Sequence, residues 1–172
     1  MNRTIVFASL FALYPLATIA QSADGFEGAK WGATEQAVQA AFKGTLTQYS
    51  SGAVNGKTYP HFGIPKYNME GCDLYVDFKF DNNRLIKVDL SLNHSDAPDT
   101  VECPTKIAKM LTGKFGAPKI VEPFNPGLSQ GQKRVWLAGN TKITQVDSFL
   151  SALNRTLLTL SYEPADSDAG KL

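Results

Sequence analysis

Two histidines and two cysteines are the residues of this chain best suited to chemistry near neutral pH. His61 lies in the aromatic stretch YPHFGIPKY. Paired with a carboxylate such as Glu70, it would act as the general base of a small hydrolase of cell-wall material. His94 follows an alternating segment, where a solvated residue at a strand end is the simpler interpretation. Neither histidine falls in a recognised catalytic motif such as Gly-x-Ser-x-Gly or His-Glu-x-x-His.

A metal site would need several His, thiolate or carboxylate ligands that converge on one point. Asp96 and Asp99 lie close to His94 in the sequence, but acids at a helix N-terminus explain them better, because the helix dipole favours them there. The sequence therefore predicts no metal, no cofactor and no catalytic activity.

The two cysteines, Cys72 and Cys103, predict a disulfide bond, since an exported protein would otherwise carry two free thiols. Closing a loop of about thirty residues contributes roughly 3.5 kcal/mol in the chain-entropy model. A redox pair is the alternative, but the Cys-x-x-Cys spacing that lowers a thiol pKa is missing. The sequence therefore favours a structural crosslink.

The first twenty residues predict export. Arg3 supplies the positive start, Ile5–Leu16 a short apolar stretch, and Thr18–Ala20 the small-residue pattern of a cleavage site, with the cut after Ala20. A membrane anchor is the alternative. About twelve apolar residues, interrupted by Pro15, are too few to cross roughly 30 Å of hydrocarbon.

Residues 21–163 are expected to form a single domain, with possible halves 25–95 and 96–163, followed by a mobile tail over 164–172. Without the first twenty residues, whose one charged side chain is Arg3, the chain has 16 basic and 16 acidic residues. This balance argues against nucleic acid or an anionic membrane as partner. We expect a soluble periplasmic protein, or a secreted one, that is not inserted in a membrane after cleavage.

The segment CDLYVDFKFDNNRLIKVDLSL predicts an antiparallel hairpin with one buried face. A two-residue Asn82-Asn83 turn would set Phe78 against Lys87, so we expect a three-residue loop, Asp81–Asn83, with Phe78 opposite Ile86. The apolar residues that must share a face are Leu74, Val76, Phe78 and Phe80 in the first arm, and Ile86, Val88, Leu90 and Leu92 in the second.

Two helices are predicted, each followed by strands. The first covers TEQAVQAAFKG and is capped by Thr34, and the second begins near Asp99 or Thr100 and ends at Gly116. Its core face carries Ile107, Ala108, Leu111 and Phe115. Further strands are expected at 45–50, 57–63, 119–122, 134–138, 141–150 and 156–162. The predicted fold is α+β, with antiparallel sheet packed on helices and possible tandem α-β-β-β(-β) units.

At GAKWGATEQAVQAAF and MLTGKFGAP the chain resembles small exported bacterial proteins built from a helix followed by a meander. These include the β-lactamase inhibitor protein fold and the small lipoprotein subunit of the outer-membrane assembly machine. The likeness covers about two thirds of the mature chain and implies a protein that binds other proteins. The chain departs from the lipoprotein subunit because it has no cysteine to carry the lipid, and no inhibitor contact residues can be transferred to it.

Two Gly- and Pro-rich segments, Tyr49–Met69 and Pro123–Gln132, are the predicted recognition surface, because aromatic residues on loops often fill a partner's pocket. The alternative is that these aromatic side chains fold back onto the core. The expected function is binding of another exported protein, as an inhibitor or immunity-type protein. The other functions considered are the hydrolase and a structural envelope accessory protein. The candidate binding residues are Tyr59, His61, Phe62, Tyr67 and Phe124, with Lys133 and Arg134 setting the orientation.

Overall fold

The computed structural model describes residues 21–49, 53–54, 57–58, 61–93, 98–124 and 130–166. The predicted signal segment, His94 and the tail after 166 lie outside these ranges. Twelve strands and two α-helices occupy the described residues in the order β1 (Gly25–Phe26), β2 (Ala29–Lys30), α1 (Glu35–Ala41), β3 (Thr47–Tyr49), β4 (Ala53–Val54), β5 (Lys57–Thr58), β6 (His61–Met69), β7 (Cys72–Asp81), β8 (Arg84–Leu92), α2 (Cys103–Phe115), β9 (Ile120–Phe124), β10 (Gln130–Ala138), β11 (Thr141–Leu150) and β12 (Arg155–Pro164).

Eight of these strands form one antiparallel sheet in the order β3-β6-β7-β8-β12-β11-β10-β9. Each half of the chain runs from an outer edge of the sheet towards its centre. The two halves meet where β8 pairs with β12, with Leu90 opposite Leu160. The remaining strands form two small hairpins, β1-β2 and β4-β5.

The predicted α+β class is correct only in part. An antiparallel sheet and two helices are present, but α1 has seven residues and α2 has thirteen, so the fold is mainly β. The strand content was underestimated mostly around Gly63 and Pro65, which lie inside the nine-residue strand β6. A bulge between Ile64 and Tyr67 accommodates the proline, which cannot donate a hydrogen bond to the sheet.

The helices begin and end close to where their sequence signals predicted. Thr34 Oγ1 accepts a hydrogen bond from the backbone N of Ala37 at 3.3 Å, which confirms the cap of α1. A 3-10 segment, Pro98–Glu102, precedes α2, which therefore begins later than expected. None of the helices in the described ranges has the length and apolar character that a membrane crossing requires.

The core lies between the sheet and one layer made of α1, α2 and the segment that leads into α1. The alternating residues of β7 are buried as predicted, from Leu74 to Phe80. On α2 the predicted core residues Ile107, Leu111 and Phe115 are also buried, and Ala108 is half-buried. Phe26 is at the centre of an aromatic cluster. Its ring centroid lies 5.0–6.5 Å from the ring centroids of Phe42, Tyr67, Phe78 and Tyr162.

The predicted three-residue hairpin loop is wrong. Asn82 and Asn83 form a two-residue turn with φ of 47° and 58°, and Asp81 pairs with Arg84. The register then shifts between Phe80 and Lys79, so that Ile86 becomes an extra residue.

The bulge brings the apolar residues back to one face, with Phe78 opposite Val88. Its cause lies in the segment before α1, because the backbone N and O of Leu85 bond to Ala33 O and Gly32 N, both at 2.9 Å. Leu85 is consequently 1% exposed, whereas Ile86, which was expected in the core, is 45% exposed.

The predicted disulfide is confirmed between Cys72 and Cys103, whose Cα atoms are 5.9 Å apart. It ties the first residue of β7 to the first residue of α2, and both cysteines are buried. The bond therefore fixes the position of α2 on the sheet.

Replacing both cysteines by Ala is expected to lower the free energy of unfolding by about 3.5 kcal/mol, because the crosslink closes a loop of 31 residues in the unfolded chain. Urea denaturation of the variant and of the native protein, with and without reductant, measures this loss. An unchanged midpoint on reduction would contradict the structural role of the bond.

Leu85 and Ile86, which are adjacent at the bulge, provide a matched pair of substitutions. Leu85→Ala is expected to cost about 2–4 kcal/mol, since it leaves a cavity in the core. Ile86→Ala is expected to change stability by only about 0.5 kcal/mol, because that side chain faces solvent. A larger loss of stability for Ile86→Ala than for Leu85→Ala in urea denaturation would contradict the bulge and support the three-residue loop that the alternation alone predicts.

Candidate functional site

The predicted recognition residues that the structure describes do not form one surface. Tyr59 lies outside the described residues, as do the side chains of His61 and Phe124, whose backbones begin β6 and end β9. Phe62 is 6% exposed, and its ring packs edge-to-face on Phe80 at 5.9 Å. Its expected role at a partner surface is therefore corrected, since Phe62 belongs to the core.

Lys133 and Arg134 point to opposite faces of the sheet, as adjacent residues of one strand must. Lys133 Nζ lies 2.7 Å from Glu122 Oε1 on the neighbouring edge strand. Arg134 Nη1 lies 2.7 Å from Asp147 Oδ1 on the face that carries the helices. The two cations therefore do not act on a partner as one pair.

His61 and Glu70 do not form the pair that a hydrolase would need. His61 is the first residue of β6, and Glu70 follows its last residue. At about 3.3 Å per residue, their backbones are roughly 25–30 Å apart. Within the described ranges, no three His, Cys, Asp or Glu side chains converge as metal ligands.

The sheet has one covered face and one open face. The buried side chains of both helices form a single core with alternate residues of the strands, among them Leu74 and Leu160. The residues between them, such as Tyr75, Asp77 and Ser161, lie on the other face, over which no described helix packs. We call this uncovered side the open face of the sheet.

An apolar stripe crosses the open face diagonally from β12 to β9. Val146 is diagonal both to Leu157 and to Val135 in the strand register. Val135 lies opposite Ile120 on the edge strand, and Leu137 follows two residues later on the same face. Ile120, Leu137 and Leu157 are 44%, 48% and 42% exposed. We call these five residues the open-face stripe.

The charged residues beside the stripe largely neutralise one another. Burial would raise the pKa of Asp89, but hydrogen bonds from Lys79, Ser161 and Lys87 outweigh it and hold that pKa below its ordinary value. Lys142 Nζ likewise lies 2.9 Å from Glu163 Oε1. The open face therefore offers an apolar stripe among paired charges.

A second site, a cavity of about 560 Å³, lies on the helix side of the sheet. Residues 21–30, the β6–β7 turn and the C-terminal half of α2 form its walls. We call it the lead-segment cavity. The side chains important for its chemistry are Glu27, Tyr67, Glu70, Lys114 and Tyr162.

The two tyrosines of the cavity keep their protons well above neutral pH. Burial, together with the charge of Glu27 and a hydrogen bond to it, raises the pKa of Tyr67 to about 12. Burial likewise raises the pKa of Tyr162, and the nearby Tyr67 and Glu27 add to this effect. The hydroxyl ends of both rings therefore lie near the Glu27 carboxylate.

Two Glu-Gly turns border the cavity, and both glutamates have positive φ. The angles are 46° at Glu27 with 93° at Gly28, and 55° at Glu70 with 80° at Gly71. Asn or Asp is the usual residue before Gly in such turns, and Glu is disfavoured there. The presence of Glu instead of Asn or Asp before these two glycines was the signal in the sequence for the site. Glu27, Lys114 and Tyr162 were not identified as site residues from the sequence.

Comparison of the chain with protein-family models, with curated proteins and with solved structures finds no match. The resemblance to exported helix-and-meander proteins consequently stays a prediction.

The stability of the protein is expected to fall between about pH 10 and pH 12. In that range the unfolded chain has lost the Tyr67 proton while the folded chain still holds it, so rising pH favours unfolding. Tyr67→Phe should reduce this loss of stability, as measured by urea midpoints across the range.

Glu27→Gln should lower the pKa of Tyr67 but leave it above 10.0, because burial is the largest cause of the shift. Ionisation of Tyr67 near 10.0 in the native protein, followed by its absorbance, would contradict this description.

Proposed function

We propose that this protein is exported and binds another exported protein through the open face of its sheet, as an inhibitor or immunity-type partner. The observation that supports this most is the one-sided covering of the eight-stranded sheet. Both helices pack on the inner face, while three large aliphatic side chains of the open-face stripe are more than 40% exposed. An exposed apolar patch with a polar border is typical of a protein-binding surface.

The charges around the stripe define the chemistry of the partner. Lys133 pairs with Glu122, Lys142 with Glu163, and Lys87 with Asp89 at 3.1 Å. Because these charges are already paired, a strongly charged partner would gain little from them. We infer a partner whose contact surface is apolar at its centre and has no large net charge. Binding should accordingly depend only weakly on salt.

Export is supported by the disulfide and by the composition of the first twenty residues. Cys72 and Cys103 are bonded, as is usual in the periplasm and outside the cell and rare in the cytosol. The positive Arg3, the apolar stretch Ile5–Leu16 and the Thr18–Ala20 pattern match a cleavable signal. These two features support a periplasmic location, with secretion as the alternative.

His61 and Glu70 are at opposite ends of β6, which favours binding over the cell-wall hydrolase. A general base must be within hydrogen-bond reach of the groups it serves. Glu70, the carboxylate suggested for this role, is too far along β6 from His61, whereas large side chains of the open-face stripe are already exposed.

The double substitution Leu137→Lys and Leu157→Lys is expected to weaken partner binding by at least about tenfold, because it places two charges in the apolar centre of the interface. The measurement is quantitative cross-linking and affinity capture from an envelope extract, followed by titration of the partner that is identified. The melting temperature should change little, since both side chains face solvent.

Val101→Lys is the matched control, because Val101 is a similarly exposed aliphatic residue that lies in the 3-10 segment before α2. It should leave capture unchanged. Equal loss of capture in the control and the double variant would contradict the proposal. Full retention of every partner by the double variant would contradict it as well.

A further inference from the structure

The lead-segment cavity carries more negative than positive side chains. Asp24, Glu27 and Glu70 line it together with Lys30 and Lys114. Within the described ranges, these carboxylates do not belong to any group of three ligands that could hold a metal ion.

These charges are only partly used within the protein. Lys114 Nζ is 4.0 Å from Glu27 Oε1, the limit for an ion pair, and both side chains are substantially exposed. Asp24 accepts a hydrogen bond from Asn140 at 3.3 Å. The side chains of Glu70 and Lys30 have no partner among the residues that the structure describes. At least one carboxylate on the border is thus available to a ligand.

The inner wall provides a second, independent sign of a ligand. Tyr162 is 5% exposed, and its hydroxyl has no hydrogen-bond partner among the described residues. It lines the cavity and lies near Glu27 and Tyr67, as their effect on its pKa shows. Because the hydroxyl is not fully enclosed and Tyr162 lines the cavity, a ligand in the cavity can reach it and form the hydrogen bond that it lacks among the described residues.

The rest of the wall suits an apolar body. Met69 and Met110 contribute aliphatic surface, and the ring of Phe26 lies 5.0 Å from that of Tyr162. Tyrosine rings attract cations through their faces, and methionine side chains adapt to varied shapes. A volume of about 560 Å³ falls in the range of small-molecule sites.

We propose that the lead-segment cavity binds an organic cation, in which an ammonium or guanidinium group is carried on an apolar or aromatic body. The cationic group lies between the Glu27 and Glu70 carboxylates and donates a hydrogen bond to the Tyr162 hydroxyl. The apolar body lies against Met69 and Met110. This site is on the helix side of the sheet and goes beyond the proposed function, since it does not use the open-face stripe.

Three probes of similar shape test the charge preference: phenethylamine as the cation, 2-phenylethanol as the neutral compound and phenylacetate as the anion. Calorimetry or NMR titration of the purified protein should show phenethylamine binding about tenfold tighter than 2-phenylethanol, because a charged hydrogen bond in the site is lost in the alcohol. Phenylacetate should bind more weakly still. Equal affinities, tighter binding of phenylacetate, or no binding of any probe would overturn the proposal.

Variants locate the binding site. Glu27→Gln combined with Glu70→Gln should reduce the affinity for phenethylamine to that for 2-phenylethanol, and Tyr162→Phe should weaken it about threefold to tenfold. Glu122→Gln, an exposed glutamate on the far edge strand, is the control and should leave affinity unchanged. Amide shifts in residues 25–30 and 67–71 should follow phenethylamine in the native protein. Undiminished binding in the double variant, or shifts confined to other regions, would overturn the assignment even if Tyr162→Phe failed to fold.

Discussion

One constraint governs this structure: the apolar inner face of an eight-stranded sheet has to be covered, and the described part of the chain provides two short α-helices with which to cover it. α2 is held over the sheet by the Cys72–Cys103 bond, and residues 21–34 fill the remaining space with Phe26 at the centre of an aromatic cluster. Because the helices and residues 21–34 all pack on one face of the sheet, the described part of the other face stays uncovered. The lead-segment cavity arises from the same constraint, where residues 21–30 and the end of α2 meet without closing the layer completely.

Local patterns were sufficient to predict much of the fold. The alternation from Leu74 to Phe80, the Thr34 cap and the core positions of α2 all depend on neighbours close in the sequence. The hairpin turn was missed because the position of Leu85 is set by backbone bonds to Gly32 and Ala33, about fifty residues away. The predicted strand ended too early because Gly63 and Pro65 are typical of a loop. A bulge accommodates the proline inside β6, and no residue close in the sequence indicates that bulge.

Candidate sites were harder to predict for a related reason. The glycines and prolines around Phe62 predict a loop, but the pairing of this segment with β7 turns Phe62 into the core. The open-face stripe combines residues from β9 to β12 whose diagonal contacts exist only once the strand order is known. In β10 and β12, apolar residues occur on both faces, as with Trp136 beside Leu137 and Leu158 beside Leu157, so the pattern there does not indicate which face the helices cover. The candidate sites thus depend on tertiary contacts that the local sequence does not determine.

The most direct test of the one-sided covering is hydroxyl-radical footprinting of the native protein, read by mass spectrometry for each residue. Leu137 and Leu157 should be oxidised readily, whereas Trp136 and Leu160 on the covered face should be protected, although Trp is intrinsically far more reactive than Leu. Protection of both leucines, or ready oxidation of Trp136 in the folded state, would contradict this account of the molecule.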